Sequence, residues 1–246
     1  RGQRIPRDAL PLGHRSPDQD GASLAEAAGH ERHGELTLAV DFLRDGPERG
    51  PTLILAHGAG AAMDSEFMNV IAAGLGNAGV RVLRFEFPYM AARRSGKRKP
   101  PDREPVLLDT WRSVIADMTG PVAIGGKSMG GRVASLVADD LYGRGRCKGL
   151  VCLGYPFHPP KKPEQLRTAH LESLRCPALI VQGERDPFGA REEVEALKLS
   201  ATIAFHWAPD GDHDLGPRGA SGFTRKGNLA AAADAVASFA RTTAGL

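Results

Sequence analysis

The chain has 246 residues, of which 41% are hydrophobic and 25% charged, and this composition is typical of a single globular domain. Its formal net charge of +3 is too small to indicate a nucleic-acid partner. The sequence contains no apolar run that could span a membrane, no apolar core of a signal peptide and no common zinc-binding motif. We therefore expect no metal, no cofactor, no nucleic acid and no membrane as partners, while the oligomeric state stays open.

The three cysteines, Cys147, Cys152 and Cys176, cannot all pair with one another within one chain. Cys152 lies in an apolar segment, which favours a thiol in the core over a catalytic one. This cysteine usage indicates a reducing compartment, and we expect a cytoplasmic location.

Residues 1–34 are rich in Arg, Gly and Pro and have no hydrophobic periodicity, which predicts a flexible N-terminal arm. A mitochondrial-type presequence would need an amphipathic helix, which Pro6, Pro11 and Pro17 oppose. The remaining residues, 35–246, are predicted to form one domain.

From Glu35 onward, predicted strands alternate with predicted helices. Because the strands are almost continuously apolar, they predict a doubly wound, mostly parallel sheet with helices on both faces. Ligands of such sheets bind at the carboxyl ends of the strands. The predicted strands are Leu36–Phe42, Thr52–Ala56, Val80–Phe85, Pro121–Ile124, Gly149–Leu153, Ala178–Gln182 and Thr202–His206. The predicted helices are Ser65–Ala78, Glu104–Asp117, Met129–Leu141, Pro163–Leu174, Ala190–Leu199 and Lys226–Thr242.

The most informative segment is Gly126-Lys127-Ser128-Met129-Gly130, which lies between a predicted strand and a predicted helix. In this context G-x-S-x-G indicates a nucleophile elbow, a sharp turn that presents a serine at the sheet edge. The two glycines allow strand and helix to approach, and the N–H of Met129 points toward an oxyanion formed beside Ser128. The alternative is a glycine-rich turn that only packs a helix on a sheet.

The sequence contains partial matches to two nucleotide-binding motifs, and each lacks a required glycine. Pro121 stands where a P-loop ending at Ser128 would need its first glycine. Met63 stands where a dinucleotide fingerprint beginning at Gly58 would need its third glycine.

A serine nucleophile needs a general base and a group that orients the base. Asp186 follows the predicted strand Ala178–Gln182, and His213 follows the last predicted strand, so the order Ser, Asp, His matches that of α/β-hydrolases. Asp186 could instead serve as a helix cap before Pro187. Other acids that could orient His213 are Glu184, Asp210, Asp212 and Asp214.

The second oxyanion donor is expected after the strand that ends at Ala56, with Ala59 as the first candidate and Gly60 as the second. His57 is expected to be structural. Phe87 and Tyr155 also follow predicted strands, and we regard them as candidate substrate-binding residues.

Only about two dozen residues separate the strands on either side of the usual lid position, which predicts a minimal lid and an open site. Near the same edge lies a basic segment that includes Arg93, Arg94, Lys97, Arg98 and Lys99. It is either a solvated surface loop or a rim that attracts anionic substrates.

Several longer segments of the sequence resemble bacterial α/β-hydrolase proteins related to the third regulatory subunit of the nonspecific-lethal (NSL) chromatin complex. The resemblance runs from about Glu35 to about Ala240, and it implies an α/β-hydrolase fold with Ser128, Asp186 and His213 as a catalytic triad. Lys161 stands where this family is expected to have glycine. The segments are His57-Gly-Ala-Gly60, Gly126-Lys-Ser-Met-Gly-Gly131, Gly154-Tyr-Pro-Phe-His-Pro-Pro160, Gln165-Leu-Arg-Thr-Ala-His170, Gln182-Gly-Glu-Arg-Asp-Pro-Phe-Gly189 and Gly211-Asp-His-Asp-Leu215.

The sequence thus predicts a serine hydrolase that cleaves carboxylic esters or thioesters of a small-molecule acyl substrate through an acyl-enzyme. A non-catalytic binding or scaffold protein of the same fold is the alternative, since the eukaryotic relative is a subunit of an acetyltransferase complex. A peptidase of this fold is a third hypothesis, because an open site would admit a peptide.

Overall fold

The computed structural model describes residues 40–244, and the predicted arm 1–34 lies outside them. Seven strands form one sheet in the order β1-β3-β2-β4-β5-β6-β7. The strands are β1 (Leu43–Asp45), β2 (Thr52–Ala56), β3 (Arg81–Phe85), β4 (Val122–Lys127), β5 (Cys147–Leu153), β6 (Ala178–Gly183) and β7 (Ile203–Ala208). The helices are α1 (Glu66–Asn77), α2 (Pro88–Arg94), α3 (Glu104–Ala116), α4 (Met129–Gly143), α5 (Arg191–Glu195) and α6 (Arg225–Ala244).

Strands β2 to β7 pair in parallel, and β1 pairs antiparallel with β3 at one edge. Successive side chains of a strand point to opposite faces of the sheet. Ile54 and Ile124 therefore join a core with helices α3 and α4, while Leu53 and Leu55 join a second core with α1 and α6. The predicted fold class, a mostly parallel sheet with helices on both faces, is confirmed.

The N-terminal strand differs from the prediction Leu36–Phe42. Residues 36–39 lie outside the described part of the chain, and Val40–Phe42 are not in a strand. The strand is Leu43–Asp45, where Arg84 of β3 pairs with Asp45 across a 2.9 Å ion pair. This cross-strand pair favours the strand Leu43–Asp45 over the predicted one. No local sequence pattern indicates it.

The predicted helix Pro163–Leu174 is reduced to a 3₁₀ turn at Ala169–Leu171. Long-range hydrogen bonds hold the residues before it in an irregular path, since the N–H of Arg167 donates to the carbonyl of Phe157 at 2.8 Å. Tyr155 Oη also donates to the carbonyl of Arg167 at 2.8 Å. These tertiary contacts outweigh the helical pattern. The turn at Lys161 has φ 62°, a conformation that glycine adopts more easily, which fits the glycine expected there.

Helix α2 was not predicted, because the sequence suggested a loop after Pro88. Proline at the first helical position is compatible with a helix start, because its missing N–H has no acceptor there anyway. The basic segment therefore begins within a helix at Arg93 and Arg94 and continues as a loop. Across residues 40–244, no helix has the length and apolar character needed to cross a lipid bilayer.

We predict that Gly125→Ala will strongly destabilise the fold. A Cβ at this position of β4 would collide with the carbonyl oxygen of Val151 on β5, and strand backbone cannot move away cheaply. Overpacking of this kind typically costs about 1–3 kcal/mol or more of the free energy of unfolding. Urea unfolding should show the loss, whereas Gly120→Ala, where a Cβ meets open space, should change little. Equal urea midpoints for the two variants would contradict the prediction.

Candidate active site

Ser128 lies at the turn between β4 and α4 with φ 51° and ψ −116°, a backbone conformation that non-glycine residues rarely adopt. It is partly exposed at the carboxyl edge of the sheet. A Cβ on Gly130 would lie 2.5 Å from the carbonyl oxygen of His57 and 2.6 Å from that of Ala56. The sequence therefore folds here as the predicted elbow, with a strained serine between residues that must be small.

Helix α4 begins directly after this serine. The N–H of Arg132 donates to the carbonyl of Ser128 at 3.0 Å, which closes the first helical turn. The N–H groups of Met129, Gly130 and Gly131 precede that bond and have no acceptor within the helix. The partly exposed Met129 thus brings a backbone donor and the positive end of the helix dipole beside Ser128.

Asp186 and His213 are brought together by loops after β6 and β7. His213 Nδ1 lies 2.8 Å from Asp186 Oδ2, and the Asp186 side chain is fully buried. The carboxylate also accepts hydrogen bonds from Gln182 Nε2 at 3.0 Å and from the N–H of Phe188 at 2.9 Å. Because the carboxylate is an acceptor, it places the imidazole proton on Nδ1 and leaves Nε2 of a neutral ring free to accept a proton.

The imidazole is also held from the side. The ring of Phe188 lies against it with centroids 4.4 Å apart, and the His213 side chain remains 20% exposed. A carboxylate on one ring nitrogen of a partly exposed imidazole is an arrangement suited to a general base.

Ser128 and His213 both adjoin the end of β5. The N–H of Ser128 donates to the carbonyl of Leu153 at 2.9 Å. The next residue, Gly154, has φ 69°, and a Cβ on it would lie 3.2 Å from Cε1 of His213. The topology therefore gathers the elbow and the Asp186–His213 pair at one place on the sheet edge.

The other acids proposed to orient His213 have different partners. Glu184 forms a 3.0 Å ion pair with Arg191. Asp210 binds Arg218 and Arg185, and the hydrogen bonds from Arg218 lower its pKa to about 2.

Asp212 accepts hydrogen bonds from the N–H groups of Asp214 and Gly216, at 2.9 and 2.8 Å. Asp214 pairs with Lys127 at 3.2 Å. Both carboxylates therefore stabilise the His213 loop, and Asp186 is the acid in contact with the imidazole.

Ala59 and Gly60, the residues expected to donate to an oxyanion, are both exposed on the loop after β2. His57 is fully buried below them. Its Nε2 accepts the N–H of Phe87 at 3.1 Å, so its proton lies on Nδ1, which is 2.6 Å from the carbonyl of Gly58. Burial lowers the pKa of His57, which favours this neutral form. Tyr89 Oη donates to the carbonyl of Ala59 at 2.8 Å and anchors the loop.

Phe87 and Tyr155, the candidate substrate-binding residues, have fully buried side chains. Phe87 packs edge-on against His57 with centroids 5.3 Å apart, and Tyr155 packs against Phe157 at 4.8 Å. Neither side chain reaches the surface from which a substrate would approach Ser128. Both support the site from the core.

A second serine–histidine contact lies inside the protein, where Ser135 Oγ is 2.8 Å from His170 Nε2. Ser135 is only 2% exposed and lies within α4, and its hydroxyl donates to the carbonyl of Arg132 at 2.6 Å. A nucleophile must reach its substrate, so this pair is suited to joining α4 to the β5–β6 connection and unsuited to acyl transfer.

Two residues at the site were not singled out by the sequence, Gln182 and Lys127. The Gln182 side chain accepts the N–H of Tyr155 at 2.7 Å and donates to the carbonyls of Tyr155 and Gly189, both at 3.2 Å. Lys127 is only 7% exposed, and its Nζ donates to the carbonyl of His213 at 2.8 Å. A polar residue at the end of each apolar strand was the available signal.

Comparisons with known proteins agree with this architecture. Residues 49–241 match a family model described as an alpha/beta hydrolase domain. Similar solved structures include an α/β serine hydrolase homologue from Coxiella burnetii, with TM-score 0.60 and 20% identity over 82% of this chain and 89% of that one. An esterase domain from Rhodothermus marinus gives TM-score 0.58 and 16% identity over 83% and 99%. A serine hydrolase without a lid from Xanthomonas campestris gives TM-score 0.54 and 20% identity over 72% and 81%.

Proposed function

The chain belongs to the α/β-hydrolase family, and on that premise we propose that it is a serine hydrolase that cleaves carboxylic esters or thioesters through an acyl-enzyme. The observation that carries the proposal is the strained backbone of Ser128, φ 51°, beside the Asp186–His213 hydrogen bond. A turn that only packed a helix on a sheet would be more stable with glycine at this position.

In the proposed reaction, Ser128 Oγ attacks the acyl carbon while His213 Nε2 takes the hydroxyl proton. The N–H groups of Met129 and of Ala59 or Gly60 stabilise the oxyanion. The bond to the leaving oxygen or sulfur then breaks, and His213 returns the proton to the leaving group. Water, deprotonated by His213, attacks the acyl-enzyme and releases the acid, and Ser128 regains its proton.

A relationship to bacterial proteins similar to the third NSL regulatory subunit is part of this proposal. It rests only on the sequence segments that resemble that family. The names of similar structures, an esterase domain and serine hydrolases, support an acyl substrate. In the described β5–β6 connection, the only helical element is the short 3₁₀ turn at Ala169–Leu171. So little helical structure there supports an open site for a small substrate.

The first test concerns Ser128. A fluorophosphonate probe should label the wild type at Ser128, and Ser128→Ala should abolish labelling and lower ester turnover by about 10⁴-fold or more, because the acyl-enzyme cannot form. Ser135→Ala is the matched control and should still label. Mass spectrometry of the labelled peptide identifies the serine. A folded wild type that never labels or turns over an ester would favour a non-catalytic protein, and cleavage of peptide amides in preference to esters would favour a peptidase.

The second test concerns the base and its acid. His213→Ala should cost nearly as much kcat as Ser128→Ala, since the members act as a unit, and Asp186→Asn should cost about 10⁴-fold because it removes the acceptor that sets the imidazole tautomer. Glu184→Gln is the matched control, because Glu184 pairs with Arg191. Steady-state kinetics on one ester measures all three. An active Asp186→Asn beside an inactive Glu184→Gln would show that the acid is misassigned.

The third test concerns the basic segment. Arg93 stacks on Tyr89 at 5.5 Å and Arg94 pairs with Glu86 at 2.8 Å, whereas Lys97, Arg98 and Lys99 are exposed. Replacing these three by serine should lower kcat/KM for an anionic ester and leave a neutral ester almost unchanged, because exposed charges steer anions over about 10 Å at about 0.1 M salt.

Raising the salt concentration should reduce this difference between the two esters. The control Arg144→Ser/Lys148→Ser removes charge near the amino end of β5 and should leave both esters unchanged. Equal losses for both esters that do not depend on salt would mean that the segment has only a structural role.

A further inference from the structure

We propose that Lys127 is a positioning residue that holds the His213 imidazole in place relative to Ser128. The proposal rests on the function proposed above. Lys127 is the last residue of β4 and the neighbour of the nucleophile, whereas His213 lies on the loop after β7, with β5 and β6 between the two strands. The loop after β7 runs back over the end of β6, where a Cβ on Gly183 would collide with its backbone, and the Lys127 side chain meets it beside Gly154 at the end of β5.

The contact is direct and part-buried. Lys127 Nζ donates to the carbonyl oxygen of His213 at 2.8 Å, so the ammonium acts on the backbone from which the imidazole projects. The same Nζ forms a 3.2 Å ion pair with Asp214, the next residue of the loop. A lysine bound at two consecutive loop residues restrains both the position and the orientation of the peptide between them.

The surroundings of Lys127 are built around this side chain. Its Nζ lies 5.1 Å from the ring centroid of Phe67 on α1, within the range of a cation–π contact. Gly154 leaves the space that the side chain needs, since a Cβ there would lie 3.2 Å from Lys127 Nζ as well as 3.2 Å from His213 Cε1. The missing side chain at Gly154 thus leaves room at the end of β5 for both the Lys127 ammonium and the His213 imidazole.

Burial of a lysine has a cost that a purely structural position would avoid. Burial lowers the pKa of Lys127, and the carboxylates of Asp214, Asp186 and Asp212 oppose that shift. A methionine would fill similar volume without desolvating a charge. The chain instead places a charged donor on the carbonyl of the residue that the reaction would use.

Among the described residues, the other bonds of the His213 loop lead to the loop after β6 and to α6, where Asn228 Nδ2 donates to the carbonyls of Pro209 and Leu215 at 3.0 and 2.9 Å, and none of them joins the loop to β4. The N–H of Arg185 donates to the carbonyl of Gly211 at 2.8 Å, and the N–H of Asp210 donates to Glu184 at 2.9 Å. These bonds join the His213 loop to the loop that carries Asp186. Lys127 adds the restraint toward the strand that carries Ser128.

The test compares full-length wild type, Lys127→Met, Lys148→Met and His213→Ala. Lys148 is an exposed lysine near the start of β5 and serves as the matched control. Two quantities are measured: kcat and KM for an ester, and the downfield proton NMR resonance of the His213 Nδ1–H bonded to Asp186, which His213→Ala assigns. Circular dichroism and thermal unfolding establish that each variant is folded.

Lys127→Met should shift or broaden the imidazole resonance and lower kcat by about 10- to 100-fold, because small displacements of a catalytic group carry losses of that size. KM should stay within about twofold, since the lysine does not bind substrate in the proposal. Lys148→Met should match the wild type in both measurements. An unchanged resonance, with or without a loss of kcat, would overturn the proposal, because Lys127 would then not act through His213.

If Lys127→Met fails to fold, Asp214→Asn decides, since this exposed carboxylate is the partner of Lys127 and lies outside the core. It should alter the same resonance and lower kcat by a smaller factor, and an unaltered resonance would overturn the proposal. A wild type that neither labels nor turns over an ester would end the proposed function. The resonance would still report whether Lys127 positions the imidazole.

Discussion

The close approach of helix α4 to strands β2, β4 and β5 is the constraint on which the rest of the site depends. Three glycines allow it, because a Cβ on Gly126, Gly130 or Gly131 would collide with backbone atoms. For Gly131 the carbonyl oxygen of Gly126 would be 2.7 Å away. With the helix seated this deeply, its free N–H groups lie beside Ser128 at the sheet edge.

The remaining groups reach that edge from separate strand ends, and buried polar side chains align them. Gln182 holds the loop that carries Asp186, since its amide binds Asp186 and the backbone of Tyr155 and Gly189. His57 does the same for the loop after β2 by joining Gly58 to the N–H of Phe87. All polar atoms of these two side chains have hydrogen-bond partners, which keeps the free-energy cost of burying them low. The same bonds restrict each loop to a narrow range of conformations.

Local patterns were sufficient for the central strands, the longer helices and the elbow. Apolar runs between turn residues predicted β2 to β7 to within three residues at each end, and the spacing of Gly126, Ser128 and Gly130 predicted the turn that follows β4. The chain order of Ser128, Asp186 and His213 pointed to an Asp–His pair that the structure contains at 2.8 Å.

Features that depend on distant partners were not accessible in the same way. The irregular path before Ala169 is held by Phe157 and Tyr155, and the position of β1 depends on the pair between Arg84 and Asp45. The bond between Lys127 and His213 joins residues 86 positions apart. No window of the sequence contains both ends of such contacts, so their effects appear only once the chain is folded.

The φ of 51° at Ser128 means that the protein is less stable than it would be with glycine at this position. A non-glycine residue in a rarely populated backbone region costs on the order of 1–3 kcal/mol, and glycine would release most of that amount. A lineage that ceased to need the hydroxyl would gain stability from a change at this one codon. Retention of a serine here would therefore indicate selection for its hydroxyl, at the expense of conformational energy stored in the fold.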